Sequence, residues 1–523
     1  MSKWKLAAFI ALLVITNTYF LLVGKYEYFP YRQISALKQR VIAAMEADYF
    51  FAMEKESPRV QEAKRLAEAQ ESRKGSQYQV VADVVERIRD IVHESAPRSP
   101  DFDVPLPAPS GYVFERSIAE GAPLTVFVHA PNGAVAEIVR LGQEKASVIK
   151  LAPIVPLAQS AKYSPMTGLG WKANLTIPTA GLKSGYYLLE LREQPSGGVY
   201  QIPFIVRPRK APRVAFVAAT NTWQAFNDFG GKNFYVDRRS PKEVVARNEA
   251  LNGILSSLGL PNLPVHLPRA RLLQPDRLIS ESRPDVPHHS HQLRAEWNLA
   301  AFAERNGVSY GVYTDDDLTE TSGIMDAAII VFGAHTEYWT QQMMDTLRSY
   351  VAKGGRVVFA GGNSMFFRVE KNAYGLSKLD HVELAASSSL TGTSTTDVSD
   401  PLYAPYKIVD SSHWVFAGTN VSNGDLFGKS SLNHREEATV QGVSGWEADQ
   451  MTADSRGFKL LAAGTNLRGP AHMVFRDTEA GGWIFNASSI PFSGALFIDP
   501  VIARIMLNLL HGGPDRPRAR QVP

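Results

Sequence analysis

The chain has 523 residues, more than one ordinary hydrophobic core accommodates, so two or three domains are expected. A hydrophobic fraction of 45% and a charged fraction of 20% exclude a disordered chain, and a formal net charge of +3 is too small to argue for a nucleic-acid partner. The absence of cysteine excludes disulfides, thiolate metal sites and a cysteine nucleophile.

In chain order, Leu6 to Val23 is almost wholly apolar and follows Lys3 and Lys5. The run is just long enough to cross a bilayer, and Tyr19 to Lys25 offers no small-residue cleavage site. Residues 1–30 therefore read as an uncleaved signal anchor, a single transmembrane helix. Basic residues flank both ends (Lys25, Arg32, Lys38 and Arg40 follow the run), and we favour the orientation that leaves the bulk of the chain periplasmic, tethered to the inner membrane. Residues 31–96 read as an amphipathic helical stalk. Ile34, Leu37, Val41 and Met45 recur at helical spacing, as do Val80, Val81, Val84, Val85, Ile88 and Ile91. This apolar seam could join copies of the chain as a homo-oligomer.

Pro97 to Pro109 is a proline-rich linker. Then the period changes from helical to alternating. Leu124–His129, Glu137–Leu141, Tyr186–Leu191 and Tyr200–Val206 read as short strands between Gly, Pro and Asn turns, so residues 110–208 are expected to form a small Ig-like β-sandwich. From Pro212 the pattern reads as α/β to residue 512. Strands are expected at Arg213–Ala218, Val308–Tyr313, Ala327–Phe332 and Arg356–Phe359, and helices at Arg294–Arg305, Thr340–Ala352 and Pro500–Leu510. His472–Phe475 and Gly482–Asn486 are expected to pair. Strands alternating with helices imply a mostly parallel sheet. The Ser-, Thr- and Gly-rich stretch 370–455 reads as an irregular insertion or a cap over the site.

The chemistry-bearing residues collect where strands end. Gly333-Ala-His-Thr-Glu-Tyr-Trp339 follows a buried strand and gathers an imidazole, a carboxylate, a phenol and an indole. Strand ends of this kind are where ligands bind in open α/β folds. His335 could be a ligand or a general base, Glu337 a ligand or a helix-start acid, and Tyr338 a phenolate ligand for a ferric ion, while a Tyr-Trp pair is also common packing. Asn221-Thr-Trp-Gln224 lies after the first α/β strand. Its Asn221, Trp223 and Gln224 could orient a polar substrate or satisfy a local turn. Asp315, Asp316 and Asp317 could bind a cation or cap a helical turn. His288, His289 and His291 share a loop and could bind zinc, but spacing fixes no third ligand. Asn433-His-Arg-Glu436 and Ser444-Gly-Trp-Glu-Ala-Asp449 could each bring a carboxylate over the sheet. No G-x-S-x-G elbow supports a serine hydrolase.

The order of these pieces resembles the N,N-dimethylformamidase large (beta) subunit family. The matching residues are Arg140-Leu-Gly142, Ser184-Gly-Tyr-Tyr187, Phe204–Pro208, Asn221–Gln224 with Gly230-Gly231, Thr314–Leu318, Gly333–Trp339, Gly354-Gly355, Gly361-Gly-Asn-Ser364, His413–Gly418 and Ser444–Asp449. The resemblance implies a β-sandwich followed by a flavodoxin-like domain similar to class I glutamine amidotransferases. It implies a mononuclear iron held by two tyrosines and a glutamate, with water attacking an amide carbon. Tyr338 matches one tyrosine of that set, and Glu447 matches the glutamate by motif order. Trp297 stands near the second tyrosine's place, with Tyr310 and Tyr313 as alternatives. His335, Glu337 and Asn221 are then the expected catalytic groups, and Trp223, Gln224, Trp339 and Asn363 the expected substrate contacts. The expected function is a membrane-anchored, metal-dependent amidohydrolase acting on a small-molecule amide. The alternative is a non-catalytic module that binds a partner or an envelope glycan.

Overall fold

The computed structural model describes residues 102–513 except 105, 164–167, 194–196, 230–232, 236–268, 272–286, 373–374, 396–402 and 436–441. All of them belong to one compact unit, residues 101–239 together with 268–523.

Residues 110–207 form two facing sheets. Strands β1 (Ser110–Val113), β3 (Leu124–His129) and β6 (Leu175–Ile177) make one. The other, in the order β2-β8-β7-β4-β5, contains β2 (Ser117–Ala119), β4 (Ala134–Leu141), β5 (Lys145–Lys150), β7 (Gly185–Glu193) and β8 (Val199–Arg207). Alternating residues point inward to one core, with Val126 and Val128 meeting Ile138, Leu189, Leu191, Phe204 and Val206.

The larger part is organised by a nine-stranded sheet. Its strands are β9 (Val214–Ala218), β11 (Tyr310–Thr314), β12 (Ile329–Phe332), β14 (Arg356–Phe359), β17 (Tyr406–Ile408), β18 (Leu426–Phe427), β19 (Lys459–Gly464), β20 (His472–Asp477) and β21 (Trp483–Asn486), in the order β11-β9-β12-β14-β21-β20-β19-β17-β18. The central strands are almost wholly apolar because both faces are covered. Phe216, Val331, Val358 and Phe485 point to one face, under α2 (Leu293–Arg305) and α5 (Pro500–Leu510). Val217, Phe332, Val357 and Ile484 point to the other, under α3 (Gln341–Ala352). A second, four-stranded sheet joins β10 (Arg269–Arg271), β16 (Gly375–His381), β15 (Phe367–Asn372) and β13 (Tyr338–Trp339). The short helices α1 (Thr220–Phe226) and α4 (Leu384–Thr391) complete the description.

The expected parallel, flavodoxin-like α/β domain is corrected by this topology. Within the nine-stranded sheet only β11, β9, β12, β14 and β21 pair in parallel, and β20, β19, β17 and β18 continue it antiparallel. The described chain is mostly β-sheet with few helices. The reason is that an apolar run does not carry a strand's direction. Asp477 and Trp483 are joined by a hydrogen-bonded turn at Thr478–Gly482, far shorter than the dozen or so residues a parallel crossover needs. The stretch read as irregular, 370–455, supplies β16, β17, β18 and α4.

The transmembrane, membrane-attachment and inner-membrane or periplasmic expectations are corrected as well: no helix among the described residues is long and apolar enough to cross a membrane. The anchor at 1–30 and the self-associating stalk at 31–96 lie outside the described residues.

Candidate active site

The site forms where the parallel strands end. After β12 the chain runs through Gly333–Trp339, after β14 through Gly361–Asn363, and after β21 through Ser488 and Ser489. Backbone bonds stitch these turns together, from Gly362 N to Ala334 O at 3.1 Å, Met365 N to Thr336 O at 2.9 Å and Asp449 N to Ser488 O at 2.9 Å. Two glycines permit this closure. A Cβ on Gly361 would fall inside the Ala334 carbonyl, and one on Gly362 inside that of Glu447. The left-handed backbone of Asn363, Met365, Trp446, Glu447 and Ser488 also gathers here. Such conformations cost energy in non-glycine residues and persist where the surroundings enforce them, often at functional sites.

At the centre lies His335, with none of its surface exposed. Its Nε2 is 2.8 Å from Glu447 Oε2 and 3.4 Å from Glu337 Oε2. The nearer contact is a charge pair rather than a well-aligned hydrogen bond, and Nδ1 has no hydrogen-bond partner among the described residues. Burial disfavours the imidazolium, but the adjacent Glu447 carboxylate outweighs it and raises the His335 pKa. Burial likewise would raise Glu447, yet the His335 charge and the Asn363 amide hold it down to about 2. Asn363 Nδ2 donates to Glu447 at 2.9 Å. Asn363 is itself fixed by Asp449, which accepts from its backbone N–H at 3.0 Å and from Thr395 Oγ1 at 2.6 Å.

Glu337 faces two phenols. The Tyr235 hydroxyl donates to its carboxylate oxygens at 2.9 and 2.8 Å, and the hydroxyls of Tyr235 and Tyr338 touch. Burial pushes Glu337 up to about 7, against the pull of His335 and with the help of Glu447. Burial and the Glu337 charge push both phenols well above their ordinary value. Lys378, whose ammonium sits 3.3 Å over the Phe367 ring, is lowered to about 8 by burial. Phe226 stacks on Tyr235 at 4.3 Å and meets His291 at 4.5 Å, while His291 lies 5.1 Å from the His335 ring and 5.4 Å from Trp446.

Behind this layer Glu296, on α2, is also wholly buried. Its Oε1 accepts from Ala219 N at 3.1 Å and Trp223 Nε1 at 3.0 Å. Gly333 leaves room for it, since a Cβ there would sit 2.7 Å from Glu296 Cγ. Burial raises its pKa from 4.5 to about 8. A carboxyl raised on folding stabilises fully below its unfolded value and loses that contribution as pH rises through the folded one. Thermal stability should therefore fall from pH 5 to pH 9 by an amount on the order of a few kcal/mol from this group. Glu296→Gln should flatten that fall, as read by melting curves across the range.

The structure thus brings together His335, Glu337, Tyr338, Glu447 and Asn363. Asn221 supports them from outside, its side-chain amide 3.4 Å from Tyr338 O and its N–H donating to Asp315 at 2.7 Å. Trp223 points its indole at Glu296, and Gln224 accepts from Arg116 at 2.9 Å. Trp339 is core: it packs on Phe332 at 5.1 Å and donates to Thr336 O at 2.7 Å, fixing the turn that presents Tyr338. Trp297 donates to Gly142 O at 2.6 Å and Tyr310 to Glu304 at 2.7 Å, both away from the cluster. The phenol beside Tyr338 is Tyr235, which sequence reasoning missed. The signal was its place a few residues beyond Asn221–Gln224 and Phe226, the ring that stacks on it. Asp317 caps Thr314 and accepts from Ser117 at 2.6 Å, and Asp316 pairs with Lys371. His288 turns to Asn298, leaving only His291 of its loop at the site.

Among the described residues no group of three or more His, Asp and Glu side chains is placed to hold a metal ion by itself, so a metal here would need the phenols. The donor chemistry fits one. Tyr235, Tyr338, Glu337 and Glu447 offer only hard oxygen atoms, the preference of a ferric ion. The phenol protons, and the proton that burial favours on Glu337, are those a cation would displace.

A family model described as N,N-dimethylformamidase beta subunit-like, C-terminal, matches residues 136–384 and 377–502. The N,N-dimethylformamidase beta subunit of an Alcaligenes species is 24% identical over 213 residues, covering 37% of this chain and 27% of that protein. The subunit of the same name from Paracoccus aminophilus matches with the same identity and coverage. The chain spans about a quarter of the length of these curated relatives. Among solved structures, the titin domains in complex with telethonin align over 22% of this chain and 60% of that one at 17% identity, with a TM-score of 0.11, too slight a likeness to carry an argument.

Proposed function

The chain belongs to the N,N-dimethylformamidase beta subunit-like family, and from that premise we propose that it hydrolyses a carbon–nitrogen bond in a small non-peptide amide. The observation that carries the reading is the shared network of Tyr235, Glu337 and Tyr338 beside the His335–Glu447 pair. A hard cation such as ferric iron, held by Tyr235, Tyr338, Glu337 and Glu447, would supply Lewis acidity and lower the pKa of a bound water. The chain's own residues do the rest. His335 and Asn363 keep Glu447 charged and oriented, with about a quarter of its side chain, 26%, open to an incoming substrate. Phe226, His291 and Trp446 form an aromatic wall that excludes bulk water and suits small alkyl groups on the amide.

Asn363→Ala removes one of the two groups that orient Glu447, and should lower kcat about tenfold while leaving KM nearly unchanged. The reading itself is tested by assaying the full chain, loaded with ferric iron, for amine release from N,N-dimethylformamide and other small formamides. Turnover that is lost in Tyr338→Phe supports it. A folded, iron-loaded chain that hydrolyses none of them overturns it.

A further inference from the structure

Two histidines face each other at the site, and they are not equivalent. His335 has no exposed surface and lies against two carboxylates. His291 reaches in from another element, the loop before α2, and is half-buried. Its ring meets Phe226, Trp446 and His335. Of the two rings, only His291 keeps some exposed surface. The side-chain amide of Gln292 lies 3.3 Å from His291 Nε2. In the tautomer that leaves Nε2 unprotonated, the amide donates to it, and so long a contact leaves it easily displaced.

We infer that His291 is the general base of the proposed hydrolysis, and that His335 is a positioning residue for Glu447. This rests on the functional reading above. The water oxygen bonds to the carbonyl carbon as its proton passes to His291 Nε2. The C–N bond then breaks, its electron pair stays with nitrogen, and His291 returns the proton to that nitrogen. An acid and an amine leave, and His291 ends neutral as it began. The surroundings keep the ring neutral. Burial, the charged His335 and the nearby Arg435 and His289 all lower the His291 pKa, to about 3, with Glu447 alone opposing them. His291 is thus neutral and able to accept a proton across the working range.

Two measurements test the assignment. The first needs no turnover. Diethyl pyrocarbonate acylates only neutral, accessible imidazole, so at pH 6.5 peptide mapping of the full chain should find His291 modified and His335 untouched. An unreactive His291, or a reactive His335, overturns the assignment whatever the enzyme does. The second uses N,N-dimethylformamide with the iron-loaded chain. His291→Gln should lower kcat at least about 100-fold with little change in KM. It should leave iron content and the melting temperature unaltered. A His291→Gln variant that folds, holds iron and turns over within a few-fold of the parent overturns the assignment. Absence of turnover in the parent overturns the hydrolase reading instead, and the acylation map distinguishes the two failures.

Discussion

Tyr338→Phe is expected to remove tight binding of a hard cation and to lower amide hydrolysis at least about 100-fold while the fold stays intact. The two effects separate because of how the phenols are bonded. Tyr235 donates to both oxygens of Glu337 on its own, so losing the Tyr338 hydroxyl strands no buried partner. The ring remains packed on Phe367 at 5.4 Å and against Phe234 at 5.3 Å. Stability should stay within about 1 kcal/mol of the parent. Tyr235→Phe differs. It takes the donor from Glu337, whose carboxyl must then protonate or lose stability, so this variant should both bind the cation weakly and melt earlier at alkaline pH. Iron content by elemental analysis and melting curves at two pH values check both.

Gly361→Ala is expected to have the largest effect on stability. The new methyl would meet the backbone of Ala334, which cannot rotate away, so the turn after β12 must part from the turn after β14. Ordinary overpacking costs about 1–3 kcal/mol, and a backbone collision of this kind belongs at or above the top of that range. Gly362→Ala presses instead on the Glu447 carbonyl, and should displace the carboxylate and abolish activity. Gly323→Ala is the control. Its added Cβ would lie 3.5 Å from the Tyr313 hydroxyl, an ordinary contact, and it should melt close to the parent. Chemical denaturation of the three variants orders them.

The parts of this protein that are local were legible in the sequence. The apolar run ending at Phe332 marked a buried strand, and the polar segment after it marked a strand end, because both depend on neighbours in the chain. The Thr340 cap that starts α3, accepting from Met343 N at 3.2 Å, is equally local. What depends on closure over distance was not legible. Tyr235 and Tyr338 are 103 residues apart, and no periodicity links them. The direction of β17 and β18 depends on turn lengths within a stretch whose Ser, Thr and Gly content reads as loop, whereas the pairing of His472–Phe475 with Gly482–Asn486 was legible. Trp339 shows the opposite failure: an indole beside a site reads as a ligand contact, yet its ring packs beside the stacked Phe332 and Phe359 and serves the turn.

The central claim is that Tyr235, Tyr338, Glu337 and Glu447 form one cation-holding site. Ferric iron bound by phenolate oxygen absorbs visible light through charge transfer from ring to metal. The direct measurement is the visible spectrum of the full chain titrated with ferric iron, beside Tyr338→Phe and Tyr235→Phe. A phenolate band is expected that saturates at one iron per chain, disappears in Tyr338→Phe and is weakened or shifted in Tyr235→Phe. Stoichiometric iron with no such band, or a band that both variants retain, would contradict that claim.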